Sequence, residues 1–388
     1  MLVLYGVGVT IGAGIYVLIG GMAAHAGMHA PLAFILAGVV MGFTAASYAE
    51  LTTRFPVSAG EAAYVKAAFN SRILAIAVGI LTIVIGVISS AAVTIGSAGY
   101  IREFVDLPTG SIVVVVVVGL GLVAAWGILE SVLLASLFTL VEVAGLIAII
   151  VAGTRSDISV VSALPQLLVP PLESSVWVGI SFASLLAFFA FIGFEDLANV
   201  VEEVREPQRT MPAAIALTLG ISIVLYVWVA AIAVLAVPVE ELSASQAPLS
   251  LVFQRVAGIG PTAISAIAIV ATLNTVLVQM TMAARVMYGM GKNGDLPEVL
   301  SRVSATTATP VIATVVAVVA VLIFALALPI ERLAEWTSLA TLFVFAWVNA
   351  SLLVLRRQGD SASAPLIPGW LPAAGLLTCL FMLATAFL

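Results

Sequence analysis

Gly6-Val7-Gly8-Val9-Thr10-Ile11-Gly12-Ala13-Gly14-Ile15-Tyr16 lies in an apolar run long enough to cross a bilayer, yet it carries four glycines. The apolarity predicts a membrane helix, and the glycines predict that the helix is broken. A glycine in a helix interior costs about 1 kcal/mol relative to alanine. Non-helical backbone at membrane depth survives only where it is buried in protein or lines a cavity. The stretch is therefore expected to bind something polar. The same irregularity returns in Phe188-Phe189-Ala190-Phe191-Ile192-Gly193-Phe194-Glu195-Asp196. Two glycine-interrupted spans at corresponding places in two halves point to the midplane site of an inverted-repeat transporter. The competing reading, in which the glycines only let helices pack closely, explains one stretch better than it explains the pair.

Composition agrees with a membrane protein. The 388 residues are 63% hydrophobic and 9% charged, with a mean hydropathy of +1.25. A soluble domain carries about 25% charged residues. The expected fold is all-α and polytopic. Cys379 is the single cysteine, which excludes disulfides within the chain and a cysteine-built metal site. No cofactor, metal or nucleic acid is expected. The first residues lack a basic n-region and a cleavage site, so they read as a retained span rather than a signal peptide. The chain begins and ends inside apolar segments, which suggests that terminal tails or a further helix are missing.

A hydrocarbon core of about 30 Å requires about 20 apolar residues per helix. On that ruler eleven spans are expected, at 2–20, 31–53, 73–100, 111–127, 131–152, 176–200, 213–237, 260–288, 310–328, 334–355 and 369–388. Pro31, Pro108, Pro170, Pro171, Pro238, Pro310 and Pro329 fall at or near span ends, and Pro212 suits a first helical turn. With the N-terminus inside, the inner loops hold Arg54, Lys66, Arg72, Arg205, Arg209, Arg285, Lys292, Arg302, Arg356 and Arg357. The outer ones hold Arg102, Arg155, Arg255 and Arg332. Ten against four predicts an inside N-terminus in a multi-pass cytoplasmic-membrane protein. Spans 1 to 5 (residues 1–153) and 6 to 10 (176–357) then have opposite topology, a five-plus-five inverted repeat with broken helices 1 and 6, followed by an additional span at 369–388. Ser58 through Lys66 reads as a short amphipathic helix on the inner side.

Four stretches together resemble the amino acid, polyamine and organocation permeases, which share the fold of the bacterial leucine transporter. They are Ile11-Gly12-Ala13-Gly14-Ile15-Tyr16; Tyr48-Ala49-Glu50-Leu51 followed by Phe55-Pro56; Phe188 through Pro207 with Glu202-Glu203; and Arg285-Val286-Met287-Tyr288-Gly289-Met290 followed by Gly294-Asp295-Leu296-Pro297. The resemblance implies a secondary transporter of amino acids or related amines working by alternating access within membrane lipid. Several proton-dependent members of that family have a lysine where this sequence has Glu142, and members commonly carry an N-terminal tail and a twelfth helix.

An unwound stretch leaves the following half-helix with free N–H groups and a positive dipole end. Here the donors are the N–H groups of Ala13, Gly14 and Ile15, where the resemblance places the substrate carboxylate, with Ile11 and Gly12 completing the turn. Half-helices that end at the breaks leave carbonyls on Thr10, Phe189 and Ile192, beside Gly193, to accept from an ammonium. A zwitterion fits between the two sets. Phe189 is read either as an aromatic gate or as ordinary packing. Glu195 matches the family's acid after Gly-Phe and is a candidate for ion coupling, whereas Asp196 is expected to face inner water. Glu142 is the most isolated charge, near the middle of its span. A carboxyl at that depth costs about 2.5–3.5 kcal/mol on insertion scales and is functional by default. It is the leading candidate to carry a proton, with sodium the alternative, and a permanently protonated structural carboxyl the rival. Glu50 is expected to pair with Arg54. His25 and His29 read as solvated loop residues. Thr272, Asn274, Thr275 and Gln279 bring polar groups to membrane depth, either to line the cavity or to join helices.

Other function classes fit poorly. An intramembrane enzyme would need a nucleophile and base or a metal set, and no H-E-x-x-H, G-x-S-x-G or G-x-x-x-x-G-K-[ST] motif occurs. A channel does not require paired broken helices. An exchanger or a sodium-coupled symporter of the same fold is the nearer alternative.

Overall fold

Helices that are apolar all round must be buried in protein or lipid, and this chain is built from them. The computed structural model describes residues 1–12, 14–56, 60–127, 132–358 and 366–386. Along the chain lie α1 (Leu2–Ile11), α2 (Gly14–Ala26), α3 (Ala30–Arg54), α4 (Gly60–Phe69), α5 (Arg72–Ile101), α6 (Thr109–Trp126), α7 (Val132–Arg155) and α8 (Val160–Leu168). Then come α9 (Ser174–Phe191), α10 (Pro207–Ala236), α11 (Val239–Ala244), α12 (Pro248–Ala257), α13 (Thr262–Lys292), α14 (Val311–Ala327), α15 (Ile330–Arg357) and α16 (Trp370–Thr385). Among the described residues there is no strand. Among the described residues eight stretches are long and apolar enough to cross a membrane; one of them, Leu2–Arg54, contains α1, α2 and α3, and two shorter apolar helices are α14 and α16.

Helix α1 packs against both α7 and α10. The longest seam joins α5 to α13. Gly86 makes it possible: a Cβ there would sit 3.0 Å from the Gln279 carbonyl. Such close approach through small residues is the usual basis of helix association in lipid. A polar cluster links three other helices. Ser47 donates to Asn349 Oδ1 at 2.6 Å, and Asn349 donates to Thr44 at 2.9 Å, beside Cys379. The two ends of the bundle are marked by α4 and α12, which lie near opposite ends of α5. Tyr100 binds the α12 end together by donating to the Tyr16 carbonyl at 2.5 Å and accepting from the Leu249 N–H at 3.4 Å.

The α4 end is fastened by Glu50. Its expected pair with Arg54 is present at 2.8 Å, and a second cation, Arg356 from the end of α15, donates to both carboxylate oxygens. The Leu366 and Ile367 N–H groups add bonds of 3.0 and 3.2 Å. Glu50 is 1% exposed, so removing it strands two guanidinium groups. Breaking a buried pair from one side costs about 3–5 kcal/mol. Glu50→Gln removes the same charge as Glu50→Ala, so both variants should lower the thermal midpoint of the purified protein markedly. Wild-type midpoints in both would refute a structural anchor.

One expectation is corrected at the α12 end. His25 is exposed and stacks on Phe182 with centroids 5.8 Å apart. His29 is buried, with Nδ1 3.0 Å from the Leu167 carbonyl. The reason is tertiary: α8 folds over the turn that carries it. The short helix expected from Ser58 begins at Gly60, and Ser58 and Ala59 lie outside the described residues.

Candidate functional site

The first helix stops where its glycines are. Gly12 leaves helical geometry at φ 18°, ψ −120°, its N–H still bonded to Gly8 at 3.1 Å, and α2 resumes at Gly14. Ala13 lies outside the described residues. The first N–H groups of α2, on Gly14 and Ile15, have no acceptor within their own helix because an α-helix satisfies only donors beyond its first turn. The second break follows α9. Ile192 is extended and Gly193 adopts φ +126°, a region open to glycine alone among common residues, before a 3-10 segment over Phe194–Glu203.

The structure brings the two breaks against each other. A Cβ on Gly14 would overlap the Ala190 backbone, and one on Gly193 would sit 2.6 Å from the Val9 carbonyl. The four glycines of the first stretch thus divide by task. Gly6 and Gly8 make room for Thr218 of α10 and Thr139 of α7, whereas Gly12 faces Thr275 of α13 and Gly14 faces the second break. Ile11 and Ile15 are wholly buried, and Phe189 and Ile192 nearly so.

Tyr226 of α10 joins the two interruptions, and the sequence reading missed it. Its hydroxyl lies 2.9 Å from the Thr10 carbonyl and 2.8 Å from the Ala190 carbonyl, and the ring packs on Phe34 and Phe191. A buried tyrosine needs a partner for its hydroxyl, which was the available signal, but nothing local says which carbonyls supply it. Of the carbonyls expected to receive an ammonium, Thr10 accepts from Tyr226 and Phe189 accepts from the Ile192 N–H at 3.2 Å. Each carbonyl oxygen retains a second lone pair. Phe188 packs on Phe345 and Phe191 on Phe34, while Phe189 pairs with no other ring among the described residues.

The two ion-coupling candidates lie in different surroundings. Glu142 is 0% exposed beside the first break: its backbone carbonyl accepts from Tyr16 at 2.7 Å, and its Oε1 accepts from Asn274 at 3.2 Å. Its Oε2 is buried without a hydrogen-bond partner among the described residues. Glu195 accepts from the Gly193 N–H at 2.9 Å and turns toward α4. Of the polar set on α13, Asn274 reaches Glu142 and Thr275 reaches Gly12, while Gln279 lies toward Glu195. Thr272 is buried and bonded back to the Ile269 carbonyl of its own helix.

Similarity to known proteins agrees with this arrangement. Residues 2–388 match the family described as amino acid permease. A branched-chain amino acid permease of Bacillus subtilis is 29% identical over 98% of this chain and 86% of its own length. A vacuolar cationic amino acid transporter of Arabidopsis thaliana is 32% identical over 92% of this chain. A human cationic amino acid transporter is 31% identical over 95% of it. The chain spans 59% and 60% of the length of those last two proteins. A match along almost all of a multi-pass membrane chain, with the motifs seated at two facing helix breaks, decides the matter: the chain belongs to the amino acid permease family.

Proposed function

We propose that this amino acid permease is a proton-coupled secondary transporter that works by alternating access across the cytoplasmic membrane. The observation that supports it best is the meeting of the two helix breaks around Tyr226, alongside the Glu142 carboxyl, whose Oε2 has no hydrogen-bond partner among the described residues. In this reading the α-carboxylate of an amino acid binds the N–H groups of Ala13, Gly14 and Ile15 at the positive end of α2. Its ammonium is received by the carbonyls of Thr10, Phe189 and Ile192. Ile11, Gly12 and Gly193 shape the turn, and Phe189, free of ring partners among the described residues, closes over the substrate. The α4 end faces the cytoplasm, the N-terminus is inside, and residues 1–153 and 176–357 form two inverted five-helix repeats followed by the span at 369–388.

Coupling is assigned to Glu142, with Glu195 second. Sodium is the rival ion, and the oxygens of Asn274 and Thr275 beside Glu142 and Gly12 favour it. The relatives' names give the two side-chain classes to try first, branched-chain and cationic. Uptake of labelled leucine and labelled arginine into proteoliposomes is expected to rise with an inward pH gradient, to collapse with a proton ionophore, and to be unchanged when choline replaces sodium. Loss of uptake in choline would transfer coupling to sodium. Uptake that requires preloaded amino acid and ignores both gradients would make the protein an exchanger.

A further inference from the structure

A second polar feature lies away from the meeting of the breaks. Between α5, α13, α15 and α4 there is a cavity of about 40 Å³. Its polar wall consists of Glu61, Glu195, Asp196, Gln279, Thr82 and Thr341. No Lys, Arg or His lines it among the described residues. A water needs about 10–15 Å³ of such space and two to four polar partners, so the cavity has room for a short file of water.

Three features make it more than a patch of acids. Glu61 is 8% exposed, and negative charge at that burial is costly. Gln279 is 7% exposed, and its amide meets no partner among the described residues although it lines the cavity. Its unused donors and acceptor are matched to water or to a protonated carboxyl. The carboxyls do not converge tightly enough to hold a metal ion, since no such group of three exists among the described residues. With no basic side chain in the lining among the described residues, protonation neutralises the cavity in the proton-coupled reading.

We propose that this cavity is a water-filled proton store on the cytoplasmic side of the second break, and that Glu61 is the group through which Glu195 exchanges its proton with the cytoplasm. The proposal rests on the proton-coupled reading above and requires Glu195 to carry a proton in the cycle alongside Glu142. Each transfer moves one proton: a carboxyl at Glu195 gives it to cavity water, Glu61 takes it up as a carboxylate, and release to bulk water restores Glu61. Glu61 is placed for this task because α4 carries it and is itself outside the spans. Facing it are Tyr48 of α3, whose hydroxyl donates to Oε1 at 2.7 Å, Tyr64 of its own helix, and Glu195 and Asp196. From α5, α13 and α15 come only the neutral Thr82, Gln279 and Thr341. Burial raises the Glu61 carboxyl above its ordinary value, and the Tyr48 hydrogen bond opposes this in part.

Glu61→Gln retains an acceptor for Tyr48 and removes the titration; Glu61→Asp retains the titration. In proteoliposomes with the same two labelled amino acids, Glu61→Gln is expected to lose pH-gradient-driven uptake and its pH profile while retaining exchange, and Glu61→Asp to regain gradient-driven uptake. The pH-difference infrared spectrum of the purified protein should lose a protonated-carboxyl band in Glu61→Gln. An unchanged pH profile in Glu61→Gln, when the wild type responds to the gradient, overturns the proposal. If the wild type ignores the gradient, the coupling reading fails instead. The spectrum then decides the cavity: a lost band sustains the store and an unchanged spectrum refutes it.

Discussion

Gly193→Ala is expected to abolish transport, and Gly14→Ala to come close to doing so, because a single methyl group at either position separates the two helix breaks. At Gly193 the backbone sits at φ +126°, and the new Cβ would lie 2.6 Å from the Val9 carbonyl. Backbone strain of this kind costs about 1–3 kcal/mol, and overpacking adds about 1–3 kcal/mol more. At Gly14 the obstacle is the backbone of Ala190, which cannot turn aside as a side chain could. The missing side chain therefore serves the crossing of α2 and α9 as well as any carboxylate. Counterflow of labelled amino acid and thermal midpoints should fall together in both variants, whereas Gly42→Ala, at a helical position where a Cβ meets nothing within 4 Å, should leave both unchanged. Wild-type counterflow by Gly193→Ala would place the substrate site away from the breaks.

Glu142→Gln should spare substrate binding and lose accumulation. The variant keeps an oxygen for Asn274, and the backbone carbonyl that accepts from Tyr16 is untouched, so the local frame should survive. What disappears is the ability to titrate, on a wholly buried group whose second oxygen has no hydrogen-bond partner among the described residues. For one proton per substrate, a pH difference of one unit corresponds to about 1.4 kcal/mol, or about tenfold accumulation. The wild type should reach that order in proteoliposomes, while Glu142→Gln should settle near equal concentrations on both sides with exchange intact. If the Gln variant concentrates amino acid with normal pH dependence, Glu142 is a structural carboxyl and coupling passes to Glu195.

Several features could be read from the chain because each is a local departure from what lipid tolerates. Glycines inside an apolar run identify Gly12 and Gly193 as breaks without any partner being known. A single carboxyl in the middle of a span, Glu142, is costly wherever it points, so the need to explain it is visible from spacing alone. The Glu50 to Arg54 pair is one helical turn apart and follows from the 3.6-residue repeat. Composition likewise determined the all-helical membrane class, since almost no charge is present to solvate a soluble surface.

Tertiary structure decided the partners. Arg356 joins Glu50 from a position 306 residues away, and Tyr226 reaches Thr10 across 216 residues. A tyrosine or arginine in an apolar chain announces that it needs a partner, but the identity of that partner depends on which helices become neighbours. His29 changed from solvent to interior for the same reason, because α8 folds over its turn. The cavity that gathers Glu61, Glu195, Asp196 and Gln279 has no counterpart in any one stretch. The sequence alone determined where the helices had to break and which charge had to be explained, because those costs are local. Only the fold determined what meets at the breaks, because helix packing brings together residues whose spacing in the chain carries no trace of the contact.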